Sequence, residues 1–84
     1  MGDASRERAA LGRAARKKRR DLDLSQEAVA RRGDVHVNLV GRLERGLNVE
    51  TETLFRVLRG LGISWTDLAP LVNAELGPSE SAHG

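Results

Sequence analysis

Residues 24–46, which read LSQEAVARRGDVHVNLVGRLERG, constrain the fold of this chain more than any other segment. Ser25 predicts the start of a short helix, because its hydroxyl can accept a hydrogen bond from an unsatisfied backbone N–H group. Gly33 and Asp34 predict the end of that helix, since glycine, and less easily aspartate, adopts the left-handed conformation in which helices stop. A second short helix follows and ends at Gly46. The segment therefore predicts two short helices joined by a tight turn.

Three more helices are predicted around this pair. The chain is poor in aromatic residues and rich in Ala, Leu and Arg, a composition that favours helices. The predicted spans are 6–21, 26–32, 37–45, 51–60 and a fifth helix that begins near residue 65. Ser64 and Asp67 predict a capped start for the fifth helix. Pro70 predicts that this helix stops or kinks near Ala69, because proline removes a backbone hydrogen bond and clashes with the preceding turn.

Apolar residues at helical spacing predict the inner faces of the helices. They are Leu11, Ala15, Leu22, Val29, Ala30, Val40, Leu43, Leu54, Val57, Leu58 and Leu61. Arg19 lies on the same stripe as Ala15, and a buried guanidinium requires a carboxylate partner. The prediction is one all-α domain over residues 6–76, with a flexible N-terminus (1–5) and a disordered tail (77–84).

Composition argues against several classes of function. The chain has no cysteine, and His36 and His83 are too few and too far apart to form a metal site, so neither metal nor cofactor is expected. No apolar run approaches the ~20 residues that span a bilayer, and no secretory signal is present, so a cytoplasmic protein without a membrane partner is expected. No nucleophile–base pair, carboxylate dyad or phosphate-cradling glycine loop is present, so an enzyme is not expected.

Charge is unevenly distributed along the chain. Residues 1–45 contain twelve Lys or Arg against seven Asp or Glu, whereas residues 46–84 contain two against five. This asymmetry favours either a polyanionic partner or a solubilising charge run, and the charges alone do not separate the two. Twelve of the fourteen basic residues are arginine, whose forked side chain suits phosphate and guanine.

The stretch from Leu11 to about Leu68 resembles the Xre family of bacterial and phage regulators, the Cro- and phage-repressor-like helix-turn-helix proteins. The resemblance is carried by Arg19, Leu24-Ser25-Gln26, Val29-Ala30, Val35, Val40, Arg42-Leu43-Glu44-Arg45-Gly46, Leu54 and Leu61-Gly62. It implies a compact five-helix lambda-repressor-like fold in which helices 2 and 3 form the helix-turn-helix. It further implies a transcriptional regulator of the Cro-like repressor or restriction-modification controller type, with double-stranded DNA as its partner.

The resemblance implies base-reading positions on a recognition helix, residues 37–45, that enters the major groove. Val37, Asn38 and Arg42 lie where the family reads base edges, with His36 beside them. Arg42 can pair with guanine and Asn38 with adenine, while Val37 can touch a thymine methyl. The alternatives are a phosphate contact or a solvated charge for Arg42, a local helix cap for Asn38 and a packing role for Val37. For His36, capping of the helix is favoured over base reading.

Other positions imply phosphate binding and a structural ion pair. Gln26, Arg45 and the backbone around Gly46 match residues that bind DNA phosphates in the family. Arg19 and Glu44 match its interior ion pair between helices 1 and 3. The helical stripe separately requires a carboxylate for Arg19, so two arguments converge on this pair.

Two departures from the family pattern affect the helix-turn-helix. Asp34 occupies the usual turn glycine with Gly33 just before it, which predicts a turn shifted by one residue. Gly41 lies inside the recognition helix, where glycine costs up to ~1 kcal/mol relative to alanine. It either allows close approach to the DNA or weakens the contact.

A homodimer on palindromic DNA is expected, because a single module of this size buries too little surface for tight selective binding. The candidate dimer surface is Trp65, Leu68, Leu71, Val72 and Leu76, although Trp65 by itself is better explained as part of the core. The competing class is a protein-interaction module, such as an antitoxin whose main ligand is another protein. No small-molecule ligand is expected.

Overall fold

A computed structural model describes residues 3–77. They form α1 (Ser5–Asp21), α2 (Gln26–Gly33), α3 (Val37–Glu44), α4 (Thr51–Leu61) and α5 (Trp65–Leu76). No strand occurs among these residues, and the predicted all-α fold is confirmed. Residues 1–2 of the predicted N-terminus and 78–84 of the predicted tail lie outside the described part. None of the five helices is long and apolar enough to cross a membrane.

The helices pack in two groups, which share α3. α1 lies against α5 and α3, and α2 lies against α4 and α3. Leu11, Leu54 and Ile63 contact both halves of the core and join them. Most predicted inner-face residues are buried, but Leu22 is 41% exposed. That prediction was wrong because α1 ends at Asp21, so helical periodicity no longer orients Leu22.

Side-chain caps fix the starts of α2 and α5. The Ser25 hydroxyl accepts a hydrogen bond from the Ala28 N–H at 3.0 Å. At α5 the Ser64 hydroxyl accepts from the Asp67 N–H, and the Asp67 carboxylate accepts from the Ser64 N–H at 2.9 Å. The hydrogen bonds from the Ser64 N–H and hydroxyl lower the pKa of Asp67. Both predicted caps are confirmed.

Helix α5 continues through Pro70 to Leu76, so the predicted stop near Ala69 was wrong. Proline leaves the carbonyl of residue 66 without its helical partner, but Thr66 is exposed and water can reach it. Beyond the proline, Val72 is only 8% exposed and packs with the fully buried Leu68 against α1. This packing keeps the second half of the helix in place.

The turn between α2 and α3 is not shifted. Asp34 itself takes the left-handed conformation, with φ 57° and ψ 51°, and ends α2. Its carbonyl oxygen accepts a hydrogen bond from Arg56 Nη1 of α4 at 3.1 Å. Gly33 is the last residue of α2 and is buried, because a Cβ there would overlap the carbonyl of Arg56. Glycine at position 33 thus serves helix packing, and Asp34 makes the turn.

The C-terminal apolar residues divide into buried and exposed ones. Trp65 is 43% exposed at the first residue of α5, so the interpretation of Trp65 as a core residue was wrong. Leu68 is fully buried and Val72 nearly so, which removes both from the candidate dimer surface. Leu71 and Leu76 are half-buried.

Candidate nucleic-acid interface

Helix α3 is amphipathic, with one face in the core and the other toward solvent. Val40 and Leu43 are buried, at 1% and 2% exposure, and pin the helix to α1, α2 and α4. Asn38 and Arg42, one helical turn apart, are exposed on the opposite side. The two residues predicted to read bases therefore lie side by side on the open face of α3.

A shallow open groove runs between the start of α2 and the exposed face of α3. It is lined by Gln26, Glu27, Val37, Asn38, Gly41, Arg42 and Arg45. All three predicted base-reading residues line this groove, as do two of the three predicted phosphate-binding residues. Val37 is half-buried and also packs against the core, so it has both a packing and a surface role.

Arg42 is held by the loop that follows α3. Its Nη2 donates to the backbone carbonyl of Asn48 at 2.9 Å. This bond fixes one arm of the guanidinium while the side chain remains exposed. Guanine recognition needs two parallel donors, so Arg42 must use its other nitrogens or exchange the bond to Asn48.

His36 caps α3. Its Nδ1 accepts a hydrogen bond from the backbone N–H of Asn38 at 3.1 Å, and its backbone is extended. The geometry is that of a helix N-cap, which agrees with the favoured interpretation. The cap uses the backbone of Asn38 and leaves its side-chain amide exposed.

A mostly buried ion pair adjoins the groove, with side chains that are 12% and 5% exposed. Arg19 Nε and Nη2 donate to the two carboxylate oxygens of Glu44 at 2.6 and 3.1 Å, and Arg19 Nη1 donates to the Leu24 carbonyl at 2.9 Å. The hydrogen bond to Glu44 raises the pKa of Arg19. Glu44 Oε1 also accepts from Gln26 Nε2 at 3.0 Å. The amide of Gln26 is thus oriented from inside the protein, with its second N–H available to another acceptor.

Gly46 lies outside the groove lining. Its N–H donates to the Leu43 carbonyl at 3.0 Å, and its carbonyl accepts from Arg8 Nε at 3.3 Å. Its φ of +77° is in the left-handed region that favours glycine, just after the end of α3. Both backbone polar groups of Gly46 are engaged within the chain, so its predicted phosphate contact requires exchange of the bond to Leu43.

A sequence model described as helix-turn-helix matches residues 16–68, which include α2, the turn, α3 and all of α4. The chain belongs to the Xre and Cro type helix-turn-helix family. This family comprises DNA-binding transcription regulators.

Solved structures share this fold. The clp gene regulator ClgR of Corynebacterium glutamicum is 32% identical in one structure, with 81% of this chain and 90% of that chain covered and a TM-score of 0.72. A second ClgR structure gives 28% identity, 92% and 83% coverage and a TM-score of 0.77. The restriction-modification controller protein C.Esp1396I is 18% identical, with 83% and 92% coverage and a TM-score of 0.76, which shows the fold alone. A comparison with curated proteins found no match.

Some contacts of this helix-turn-helix protein were not predicted from its sequence. Glu27 lines the groove beside Gln26, and its carboxylate can accept from a cytosine amino group while it repels phosphate. The sequence could have indicated this role for Glu27, because Glu27 directly follows Gln26. The contacts from Arg8 to Gly46 and from Arg42 to Asn48 depend on the loop after α3, and sequence spacing carries no signal for them.

Proposed function

We propose that this protein is a sequence-specific transcriptional regulator that places α3 in the major groove and binds palindromic operators as a homodimer. The observation that carries the proposal is the pairing of Asn38 and Arg42 on the exposed face of α3, opposite the buried Val40 and Leu43. In a helix-turn-helix protein the recognition helix lies in the major groove, so it needs a face that the rest of the fold leaves exposed. Asparagine and arginine are the side chains that pair bidentately with adenine and guanine.

Phosphate contacts fix the register of such a helix on the duplex. In this proposal Gln26 and Arg45, which line the same groove, bind the DNA backbone next to the base-reading residues. Gln26 is the first residue of α2, so the positive end of that helix dipole adds to the attraction of a phosphate. The bond from Gln26 to Glu44 holds the amide in place before DNA arrives.

The homodimer is proposed from the size of the interface and from α5. A single module of this kind buries too little surface for tight selective binding, and a two-fold dimer doubles the contacts. Trp65, 43% exposed, and the half-buried Leu71 and Leu76 form the proposed dimer surface. The half-sites of the operator should then lie about one helical turn, ~34 Å, apart or a multiple of that distance.

The test is selection of bound duplexes from a random DNA library at near-physiological salt, followed by sequencing. The expected result is a palindrome with half-sites one turn apart, together with a dimer in sedimentation equilibrium. A single unpaired half-site would remove the homodimer from the proposal. Recovery of no preferred sequence, with binding that disappears steeply as salt rises, would leave phosphate attraction alone and overturn sequence-specific binding.

Replacement of Arg42 tests the base-reading role separately. Arg42→Ala should relax the preference at one position of each half-site and cost about 1–3 kcal/mol of binding free energy. The matched control is Gln26→Ala, which should weaken binding on all sequences with the preference unchanged, because a phosphate contact carries no sequence information. Equal weakening on all sequences for Arg42→Ala would assign Arg42 to the phosphates instead.

A further inference from the structure

The recognition helix contains a glycine that is covered by side chains. Gly41 is in the interior of α3 and is buried, although it lines the groove. A Cβ at this position would lie 2.9 Å from Nη1 of Arg45 and 3.9 Å from Oε1 of Gln26. The guanidinium of Arg45 therefore lies over the one residue of α3 that has no side chain, and the amide of Gln26 lies near the same position.

The path of Arg45 explains this arrangement. Helical side chains lean toward the N-terminus and cover the turn before their own Cα, so the side chain of Arg45 lies over position 41. Any Cβ at position 41 would force the guanidinium to move from this position, because the separation of 2.9 Å is shorter than a van der Waals contact allows. The neighbour is the far end of a flexible side chain, so the displacement needs no movement of the backbone.

We propose that Gly41 is a positioning residue for DNA binding: the missing side chain lets Arg45 lie across the recognition helix beside Gln26, aimed at a backbone phosphate. This inference rests on the proposed phosphate role of Arg45. It explains a residue that helix propensity disfavours, because glycine in a helix interior costs up to about 1 kcal/mol relative to alanine. In this proposal glycine at position 41 lowers the stability of the helix, and the space without a side chain is occupied by Arg45.

The two effects have opposite signs, which makes the proposal testable. Gly41→Ala should raise the melting temperature by up to about 8 °C, since alanine is the better helix former and only a mobile side chain must shift. The same substitution should weaken operator binding by about tenfold, as Arg45→Ala should, because each removes a charge-assisted hydrogen bond to phosphate. A substitution that merely damaged the fold would lower both quantities together.

The experiment measures operator affinity over a range of salt concentrations for the wild type, Gly41→Ala, Arg45→Ala and the double variant. For each single variant the slope of log affinity against log salt should become shallower by about 0.9 for each phosphate that the protein no longer neutralises. The double variant should bind no more weakly than Arg45→Ala alone. Asn73→Ala, on the exposed side of α5, is the control for a gain in helix propensity away from the groove.

The outcomes separate this inference from the proposed function beneath it. If Arg45→Ala binds the operator as the wild type does, the phosphate role of Arg45 is wrong. If Arg45→Ala weakens binding but Gly41→Ala does not, the positioning role of Gly41 is wrong while the phosphate role stands. Additive effects in the double variant would show that Gly41 acts independently of Arg45, and they too would overturn the inference. Gly41→Ser, with a second small side chain, repeats the comparison.

Discussion

At both the α1–α3 contact and the α2–α4 contact, two helix backbones approach each other at a glycine. A different ion pair connects the helices at each contact. In the first, a Cβ on Gly12 would overlap the carbonyl oxygen of Leu43. In the second, Gly33 and Gly60 face each other, and a Cβ on Gly60 would overlap the carbonyl of Val29. Each crossing therefore excludes a side chain of any size at its closest point.

The ion pairs that connect the helices at these two contacts differ in burial. Arg19 and Glu44 join α1 to α3 with side chains that are 12% and 5% exposed. Arg56 joins α4 to the end of α2 through Asp34, but the side chains of these two residues are 34% and 92% exposed. The first ion pair also reaches the groove, because Glu44 accepts a hydrogen bond from Gln26. In the second, Arg56 donates to Asp34 in the turn and to Glu52 in α4.

The difference in burial predicts different energetic roles for the two ion pairs. A buried pair binds each partner to the other, since either charge left alone would be desolvated without compensation. An exposed pair contributes little to stability, because forming it only replaces hydrogen bonds to water with contacts to the partner side chain. Removal of one partner should therefore have unequal effects at the two contacts, and the following substitutions test that expectation.

The largest effect is expected for Glu44→Ala. It leaves the guanidinium of Arg19 buried without its carboxylate and should cost about 3–5 kcal/mol of unfolding free energy, measured by urea denaturation. Glu52→Ala, which removes one of the two exposed carboxylate partners of Arg56, is the matched control and should change stability far less. Equal destabilisation by the two substitutions would contradict the expected difference between the mostly buried and the exposed ion pairs.

The sequence predicted the first contact better than the second. Arg19 lies on the apolar stripe of α1, so burial and the need for a carboxylate could be deduced, and the family pattern supplied Glu44. Gly12 and Gly60 gave no comparable signal, because glycine within a helical pattern does not reveal which backbone approaches it. For the same reason Gly33 is predictable only as a helix end, although α4 is what excludes its side chain.

Tertiary packing accounts for the other differences between prediction and structure. Local rules end the fifth helix at Pro70, whereas burial of Leu68 and Val72 against α1 maintains it. The base-reading face was predictable from helical spacing, since Asn38 and Arg42 are opposite the apolar positions of α3. The hydrogen bond from Arg42 to Asn48 was not, because it depends on the conformation of a loop.

An intermediate effect is expected at the α2–α4 crossing. Gly60→Ala places a methyl group against the backbone of Val29, which cannot move without displacing α2. Overpacking of this kind costs about 1–3 kcal/mol, and the free energy of unfolding should fall by that amount. Gly41→Ala is the control, because the same change there meets only a flexible side chain and should stabilise the fold. A stabilised Gly60→Ala variant would show that the crossing is looser than the structure indicates.

The smallest effect is expected for Arg56→Gln, which keeps much of the aliphatic stem and removes the charge. Arg56 donates to Glu52 and to both the carbonyl and the carboxylate of Asp34, and the hydrogen bond to Glu52 raises the pKa of Arg56. Because these partners are exposed, the decrease in melting temperature should be smaller than for Glu44→Ala and should shrink as salt screens the charges. A decrease that salt leaves unchanged would show that the hydrogen bond to the uncharged Asp34 carbonyl, rather than the two ion pairs, ties the turn to α4. The α2–α4 contact would then depend on a hydrogen bond to the backbone, whereas the α1–α3 contact depends on the Arg19–Glu44 ion pair.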